Sequence, residues 1–210
     1  MTEQVAENHR SGAEEFSGAG NVSQSGSSHE AKGPEHGEGT GREGTMKRAS
    51  GKSTCPVNFG LEAFGDPWSL LVVRDVVYFG KHTFNEFLGS DEAISPSVLS
   101  ARLDTLTDAG ILRRSPDPAD RRRVRYDLTD RGLGLIPVLV EIAEWSATHD
   151  PDTGAPADWI ALVRDNKAEM LHRYTDTVRD GGSVFVGENS VLAQVEAAQT
   201  QAAQAEPQRA

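Results

Sequence analysis

The sequence predicts a mainly α-helical domain that carries one small β-hairpin. Apolar residues recur at helical spacing in three successive segments, of which the third covers 95–108. Two short strands, at 111–114 and 124–128, then flank a tip rich in Pro, Asp and Arg, and a long apolar helix follows to about residue 149. Helix, helix, turn, helix, hairpin and helix is the order of a winged helix-turn-helix, in which the hairpin is the wing.

Local signals mark where the three helices begin and end. Pro67 suits the first position of the first helix, because a proline there forfeits no intrahelical hydrogen bond. Thr83, followed three residues later by Glu86, forms a capping-box pattern for the short second helix. Ser95 is the expected N-cap of the third helix, and Gly110 is expected to stop it. The boundaries leave a turn between the second and third helices, as a helix-turn-helix requires.

Composition divides the chain into four parts. Residues 1–50 are rich in Gly, Ser, Glu and His and poor in large apolar side chains, which predicts a disordered acidic tail. Residues 52–150 hold the predicted winged helix-turn-helix, with DNA-binding and dimerisation functions. A helical extension is expected at 151–186, and an Ala/Gln-rich flexible tail at 187–210.

Several functional classes are excluded at this level. No apolar run of 18 residues and no apolar N-terminal segment occur, so the sequence predicts a cytoplasmic protein that contacts no membrane. Cys55 is the single cysteine, which rules out an internal disulfide. The six histidines form no close metal-ligand pair, and no P-loop or nucleophile-elbow motif is present. We therefore expect no enzyme, no cofactor and no bound metal.

Positive charge is concentrated at 113–125 in an otherwise acidic protein. The whole chain has a net charge of −11, but this stretch holds six arginines against Asp117 and Asp120. A local field of this kind favours a polyanion such as DNA whatever the net charge of the protein. The alternative is a solvated surface turn that binds nothing. The predicted wing contacts are Arg121, Arg122, Arg123 and Arg125.

Alternation along the second strand sorts its side chains between two faces. Val124, Tyr126 and Leu128 share one face, which we expect to cover the core, and the arginines share the other. Asp120 is expected to hold one of the tip arginines by a local ion pair.

The helix at 95–108 has two distinct sides. Leu99, Leu103 and Leu106 fall on the side expected to face the other helices. Small residues near the start of the opposite side would let the helix approach a major groove closely, with hydroxyls that bond bases or phosphates. The alternative is an ordinary amphipathic helix. The predicted DNA-binding residues of this recognition helix are Ser95, Ser97, Val98, Ser100, Ala101 and Arg102.

Five stretches of the sequence resemble those of a known family. The stretches CPVNFGLEAFGDPWSLLVVRD, FNEF, ISPSVLSARLDTLTDAGILRR, VRYDLTDRG and LIPVLVEIAEW are similar to those of HxlR-type winged-helix transcriptional regulators. The tip DPADRRR followed by LT also resembles MarR-type regulators. The resemblance implies a homodimer that binds pseudo-palindromic DNA. Some HxlR-type proteins with a cysteine at the position of Cys55 are redox sensors, so the resemblance makes this residue a candidate sensor. The alternative is an unreactive packed thiol.

The last predicted helix, 129–149, is apolar around most of its circumference, so we expect it to be the terminal helix through which the protein dimerises. Pro137 would either kink this helix or mark a restart. In the alternative, residues 157–179 fold back and cover the same face within one chain. The predicted dimer-interface residues are Ile136, Leu139, Val140, Ala143 and Trp145.

Two functions from different classes follow from the sequence. The first is sequence-specific regulation of transcription by a homodimer on double-stranded DNA. The alternative is a winged helix that serves as a protein-interaction module, in which the wing binds an acidic partner and DNA is not bound specifically. The sequence leaves open whether a small-molecule or redox effector controls the protein.

Overall fold

The computed structural model describes residues 53–205. The predicted disordered tail at 1–50 lies outside the described residues, and so do the last five residues of the predicted flexible tail. No helix within the described range has the length and apolar character that spanning a bilayer requires. In chain order the elements are α1 (Pro56–Phe64), α2 (Ser69–Phe79), α3 (Phe84–Leu88), α4 (Pro96–Asp108), β1 (Leu112–Pro116), β2 (Val124–Leu128), α5 (Asp130–Leu133), α6 (Ile136–His149), α7 (Ala157–Asp165), α8 (Lys167–Arg179) and α9 (Val191–Ala205).

The two strands form the predicted wing. They are antiparallel, and their register runs from Leu112 opposite Leu128 to Pro116 opposite Val124. The segment between α2 and α3 lies along the other edge of β2, where the Tyr126 N–H donates to the His82 carbonyl oxygen at 2.7 Å. The predicted mainly α-helical winged fold is therefore confirmed.

Two of the predicted helix starts are confirmed. The Glu86 carboxylate accepts the Thr83 N–H at 2.7 Å, as a capping box requires. The Ser95 hydroxyl oxygen accepts the Val98 N–H at the start of α4, at 3.4 Å. A cap of this kind stabilises a helix by about 1 kcal/mol.

The first predicted start is wrong by two residues, because α2 begins at Ser69 and Pro67 lies in the preceding turn. Asp66 explains the shift, since its carboxylate accepts the N–H groups of Trp68 and Ser69 at 2.9 and 3.0 Å. Helix α1, which has only nine residues, was not predicted from the sequence.

The predicted long helix from residue 129 is interrupted, and the restart alternative for Pro137 is the one observed. The Thr129 hydroxyl oxygen accepts the Gly132 N–H at 3.2 Å and caps the short helix α5. A new helix, α6, then begins with Pro137 in its first turn, where the missing N–H costs no hydrogen bond. Gly132 is required at the junction, because a Cβ there would lie 2.3 Å from the Ile111 carbonyl oxygen.

The extension beyond residue 150 shares one hydrophobic core with the winged helix. Trp159 and Tyr174 are both buried, and the Trp159 indole N–H donates to the Tyr174 hydroxyl at 2.9 Å. The chain after α8 then returns to the C-terminal end of α2, where the Val184 N–H donates to the Val77 carbonyl oxygen at 2.9 Å. Extension residues of the shared core are Trp159, Val163, Met170, Tyr174, Val178, Val184 and Val191.

The start of the predicted flexible tail differs from expectation. Residues 191–205 form α9, and Val191 is fully buried. Its N–H donates to the Ser183 carbonyl oxygen at 3.2 Å, and the Leu192 N–H donates to the Val184 carbonyl oxygen at 3.0 Å. The anchoring ends at Val195, which packs against the core, since residues 196–204 are exposed. The weakly apolar composition gave no sign that α9 packs against the core, because two or three apolar side chains are enough to anchor it.

Candidate nucleic-acid interface

Helix α4 has the predicted buried side and the predicted exposed side. Leu99, Leu103 and Leu106 are buried, which fixes the helix against the core. On the other side Ser97, Ser100 and Ala101 are exposed, and their small side chains leave the backbone accessible. The Ser95 hydroxyl caps the helix and lies 3.4 Å from the Ser97 hydroxyl. The exposed side thus offers hydroxyl groups and a close approach to a partner surface.

Two of the predicted recognition residues are partly buried against the rest of the protein. Val98 is half-buried and packs against the core. Arg102 pairs with Asp66, with 3.2 Å between its Nη1 and the carboxylate Oδ2, so a phosphate contact would require breaking that pair. Burial opposes the charge on Asp66, but hydrogen bonds from Ser69 and Trp68 outweigh it and hold the pKa of this carboxyl below its usual value. The sequence could not show this pairing, since the two residues are far apart along the chain.

The wing tip presents its arginines to solvent. Arg122 and Arg123 have side chains that are 90% and 67% exposed, and Arg121 is exposed as well. Asp120 pairs with Arg122 at 3.0 Å and with Arg123 at 3.6 Å, one arginine more than predicted. Hydrogen bonds from Arg122 keep the pKa of Asp120 below its usual value, so the pairs are present at neutral pH. Exposed pairs of this kind are weak, which leaves the guanidinium groups available to an anionic ligand.

The second strand corrects two predictions. Arg125 does not point freely outward: its side chain is 25% exposed, and its Nε lies 2.9 Å from Oδ1 of Asp127. Val124 was expected on the core face but is 47% exposed, because it lies at the end of the strand nearest the tip, beyond the reach of the core. The wing tip therefore exposes Arg121, Arg122 and Arg123 to solvent, whereas Arg125 is partly buried and paired with Asp127.

The first wing strand supplies two arginines to which the sequence analysis gave no role. Arg113 is exposed, and its Nε lies 4.0 Å from a carboxylate oxygen of Asp127. Arg114 forms an ion pair with Asp104 on α4, and its guanidinium lies 5.5 Å from the centre of the Tyr126 ring. This pair connects the wing directly to α4. Both arginines were counted in the local charge, but only the register of the hairpin places Arg114 opposite α4.

His82 is a second residue that the sequence analysis left without a role. It is buried between α2 and the wing, and its Nδ1 lies 3.1 Å from the Tyr126 carbonyl oxygen and 3.2 Å from a carboxylate oxygen of Asp127. Burial lowers the pKa of His82 below its usual value, in spite of the nearby carbonyl. The imidazole is therefore neutral at neutral pH and joins β2 to the segment before α3. Within residues 53–205, no group of three side chains is arranged to hold a metal ion.

The predicted dimer interface is wrong for three of its five residues. Ile136, Leu139 and Val140 are buried within the chain itself, and Ala143 is half-buried. The fold-back alternative explains this burial, because α7 and α8 pack against α6. Lys167 on α8 reinforces the packing through ion pairs with Glu141 and Glu144 on α6, at 2.9 and 3.0 Å.

Part of the apolar surface of α6 remains open. Trp145 and Ile142, three residues apart on this helix, are 65% and 44% exposed. The Trp145 ring contacts the His149 ring at a tilt of 44°, with 4.8 Å between the ring centres. Cys55, the predicted redox residue, is exposed at the N-terminal end of α1.

Sequence comparisons with known proteins identify the family. Residues 63–153 match the family described as HxlR-like helix-turn-helix. The HTH-type transcriptional regulator YybR of Bacillus subtilis is 31% identical over 98 residues, which are 47% of this chain and 78% of YybR. The chain belongs to the HxlR-like helix-turn-helix family. The family predicted from the motifs is thus confirmed, and it is a family of regulators, not of enzymes.

Other relatives extend the comparison. The HTH-type transcriptional regulator Rv3095 of Mycobacterium tuberculosis is 32% identical over 100 residues, 48% of this chain and 62% of Rv3095. The match therefore spans less than two thirds of that relative. Among solved structures, PA1607 is 34% identical with a TM-score of 0.46, over 50% of this chain and 73% of PA1607. The redox regulator HypR in its oxidised form is 28% identical with a TM-score of 0.41, over 45% of this chain and 97% of HypR.

Proposed function

We propose that this HxlR-like protein is a sequence-specific DNA-binding regulator of transcription that acts as a homodimer on a pseudo-palindromic operator. The observation that carries the proposal is the joint exposure of two surfaces. The small-residue side of α4 is open to solvent, and the wing that is ion-paired to α4 through Arg114 and Asp104 carries exposed arginines at its tip.

The exposed side of α4 is proposed to enter the major groove. Ser97 and Ser100 offer hydroxyls that donate to or accept from base edges, and Ala101 offers a methyl group to a thymine methyl. Asp104 lies further along the same side, but its ion pair with Arg114 offsets the negative charge that would face DNA. Base contacts are therefore assigned to the first two turns of the helix.

The wing is proposed to bind the sugar-phosphate backbone or a narrow minor groove. Arginines at the tip would displace counterions from the phosphates whatever the base sequence, so this part of the interface supplies affinity and not specificity. Asp120 orients Arg122 and Arg123 before DNA arrives, since both arginines pair with it at the tip.

Selection of bound duplexes from a random DNA pool tests this function. Because a symmetric dimer places two recognition helices on one duplex, we expect two inverted half-sites whose centres are about 10 base pairs apart. A single half-site would contradict the dimer only. A pool that shows no enrichment would favour the alternative, an interaction module whose wing binds an acidic protein.

A second copy of the chain is the proposed partner of the open face of α6. Trp145→Glu is expected to weaken dimerisation by about 30-fold or more, because a buried tryptophan is a common anchor of interfaces and a charge cannot replace it. Sedimentation equilibrium over a range of protein concentrations measures the change. Val186→Glu is the matched control, since Val186 is similarly exposed but lies after α8. Equal dissociation constants for the two variants would remove Trp145 from the interface.

A redox effector acting through Cys55 is proposed as the regulatory input. The single cysteine is exposed, so oxidation would form a disulfide between two subunits or a mixed disulfide with a small thiol. We expect hydrogen peroxide or a quinone to change operator affinity, and Cys55→Ser to abolish that change. Gel electrophoresis without reductant would show whether the product is a linked dimer. If the oxidant leaves the affinity of the unchanged protein as it was, Cys55 is not a sensor.

A further inference from the structure

A cluster of charged and polar side chains joins α2 to the turn that precedes α4. We define the turn cluster as Arg74, Asp75, Lys81, Ser90 and Glu92. At its centre Asp75 is buried, with 2% of its surface exposed. Its carboxylate accepts from Arg74 Nη2 at 2.6 Å, from Lys81 Nζ at 3.3 Å and from the Ser90 hydroxyl. A buried carboxylate with this many donors is costly to disturb, because removing one partner leaves charge without compensation.

Glu92 is the far end of the turn cluster. Arg74 donates to both of its carboxylate oxygens, at 3.0 Å between Nη2 and Oε2 and through Nη1 to Oε1. The hydrogen bonds from Arg74 lower the pKa of Glu92 below its usual value. Burial opposes the charge on Arg74, but its bonds to Glu92 and Asp75 outweigh that effect and raise its pKa. The Arg74–Glu92 pair is therefore charged at neutral pH.

The turn held by these side chains leads straight into α4. Lys81 Nζ donates to the Ser90 hydroxyl at 2.7 Å, so both Ser90 and Glu92 are attached to groups on or next to α2. Ala93 follows with a φ of +52°, in the left-handed region that residues other than glycine seldom adopt. Such a backbone persists only where neighbouring groups impose it. The chain then reaches Ser95, the cap of α4.

The C-terminal extension closes the cluster from the other side. The Phe79 ring lies 5.6 Å from the Arg74 guanidinium and 5.6 Å from Lys81 Nζ, so it touches both cations of the turn cluster. Phe185 covers Phe79 in turn, with 6.4 Å between the ring centres. Phe185 lies beyond residues 63–153, the part of the chain that matches the family. Packed side chains thus run from the extension to the turn cluster. From there the backbone of Ala93 and Ile94 leads on to α4.

We propose that the turn cluster, supported by Phe185, positions α4 and thereby sets how well the protein distinguishes its operator from other DNA. This inference rests on the proposed function. Hydrogen bonds to base edges weaken steeply when donor and acceptor are misaligned, whereas flexible arginines follow the phosphates through small displacements. A loosened turn would therefore lower operator affinity and leave non-specific affinity nearly unchanged. Glu92 and Phe185 are positioning residues in this account, since neither needs to touch DNA.

The test compares Glu92→Gln with Glu169→Gln on the selected operator and on a scrambled duplex. Glu169 pairs with Arg173 at 2.7 Å on α8, so both variants remove one negative charge and one arginine partner. We expect Glu92→Gln to lower the operator-to-scrambled affinity ratio by about 2- to 30-fold, the range of mutations that act through coupling. Affinity for the scrambled duplex should match that of Glu169→Gln. Arg74→Lys should reproduce the loss, because one ammonium group cannot bond both oxygens of Glu92 and also Asp75.

Phe185→Leu provides an independent variant outside the turn. It should lower the same ratio, and its effect should be smaller when Glu92→Gln is already present, because the two residues act through one structure. An unchanged ratio in Glu92→Gln would overturn the inference. An equal loss on both duplexes would overturn it too, since that result indicates a stabilising role only. Tighter binding of Glu92→Gln to both duplexes would overturn it as well, because that result shows that Glu92 only repels DNA. If the unchanged protein prefers no sequence, the proposed function fails as well.

Discussion

Replacing Tyr174 with alanine is expected to lower the free energy of unfolding by about 3–5 kcal/mol, the usual cost of removing a large buried ring. The Tyr174 ring is 2% exposed, lies edge-on to Tyr78 with 6.4 Å between ring centres, and accepts a hydrogen bond from Trp159. The loss is large relative to the total stability of a small domain, about 5–15 kcal/mol. Denaturant unfolding followed by circular dichroism measures it.

Tyr174→Phe separates the ring from its hydroxyl. Only the bond from the Trp159 indole is removed in this variant, so we expect a decrease of about 1 kcal/mol. If Tyr174→Ala were nearly as stable as the unchanged protein, helices α7 and α8 would not be part of the core. That result would mean that the winged helix folds without its extension. It would contradict the shared core seen in the structure.

Replacing Arg121, Arg122 and Arg123 together with alanine is expected to weaken binding to operator and to random DNA alike. The salt dependence of binding should also become less steep, by about one unit of slope for each arginine that no longer binds a phosphate in each subunit. The physical reason is that each arginine on a phosphate releases a counterion, and that release is what added salt opposes. Binding measured by fluorescence anisotropy over a salt series gives both quantities.

A charge-matched control is available on the extension. Replacing Arg164, Arg173 and Arg179 with alanine removes the same charge from α7 and α8. This control should leave the slope almost unchanged. The double variant Ser97→Ala, Ser100→Ala should behave differently from both arginine variants. It should lose about 1–3 kcal/mol of operator-binding free energy for each base hydrogen bond removed, and little binding free energy on random DNA. Unchanged affinity in the wing variant would show that the wing does not touch DNA.

The sequence predicted the parts of this fold that are specified locally. The capping box at Thr83, the cap at Ser95 and the alternation that buries Tyr126 and Leu128 each depend on neighbours a few residues away, and the structure has all of them. At Pro137 the local rule left two outcomes, a kink or a restart, and the structure has the restart. Local rules of this kind act within one turn of helix or one strand pair. They are enough to predict the order of helices and strands in a winged helix.

The parts that were not predicted depend on distant residues. Burial of Leu139 and Val140 comes from α7 and α8. The Arg102–Asp66 pair joins a residue on α4 to one that precedes α2, with α2 and α3 between them along the chain. An apolar face shows that something covers it but not whether the cover is the same chain or a second one. An arginine on the polar side of a helix likewise gives no sign of a carboxylate that folding brings to it.

The most direct test of the central claim is the affinity of the unchanged, full-length protein for its selected operator and for a scrambled duplex, measured between about 50 and 200 mM salt. If the recognition helix reads bases and the wing binds phosphates, operator binding at physiological salt should exceed scrambled binding by about 10³-fold or more. Both affinities should fall steeply as salt rises, by about 10³-fold over this range if about six or more phosphates are bound. Equal affinity for the two duplexes, or affinity that salt does not change, would contradict the proposal.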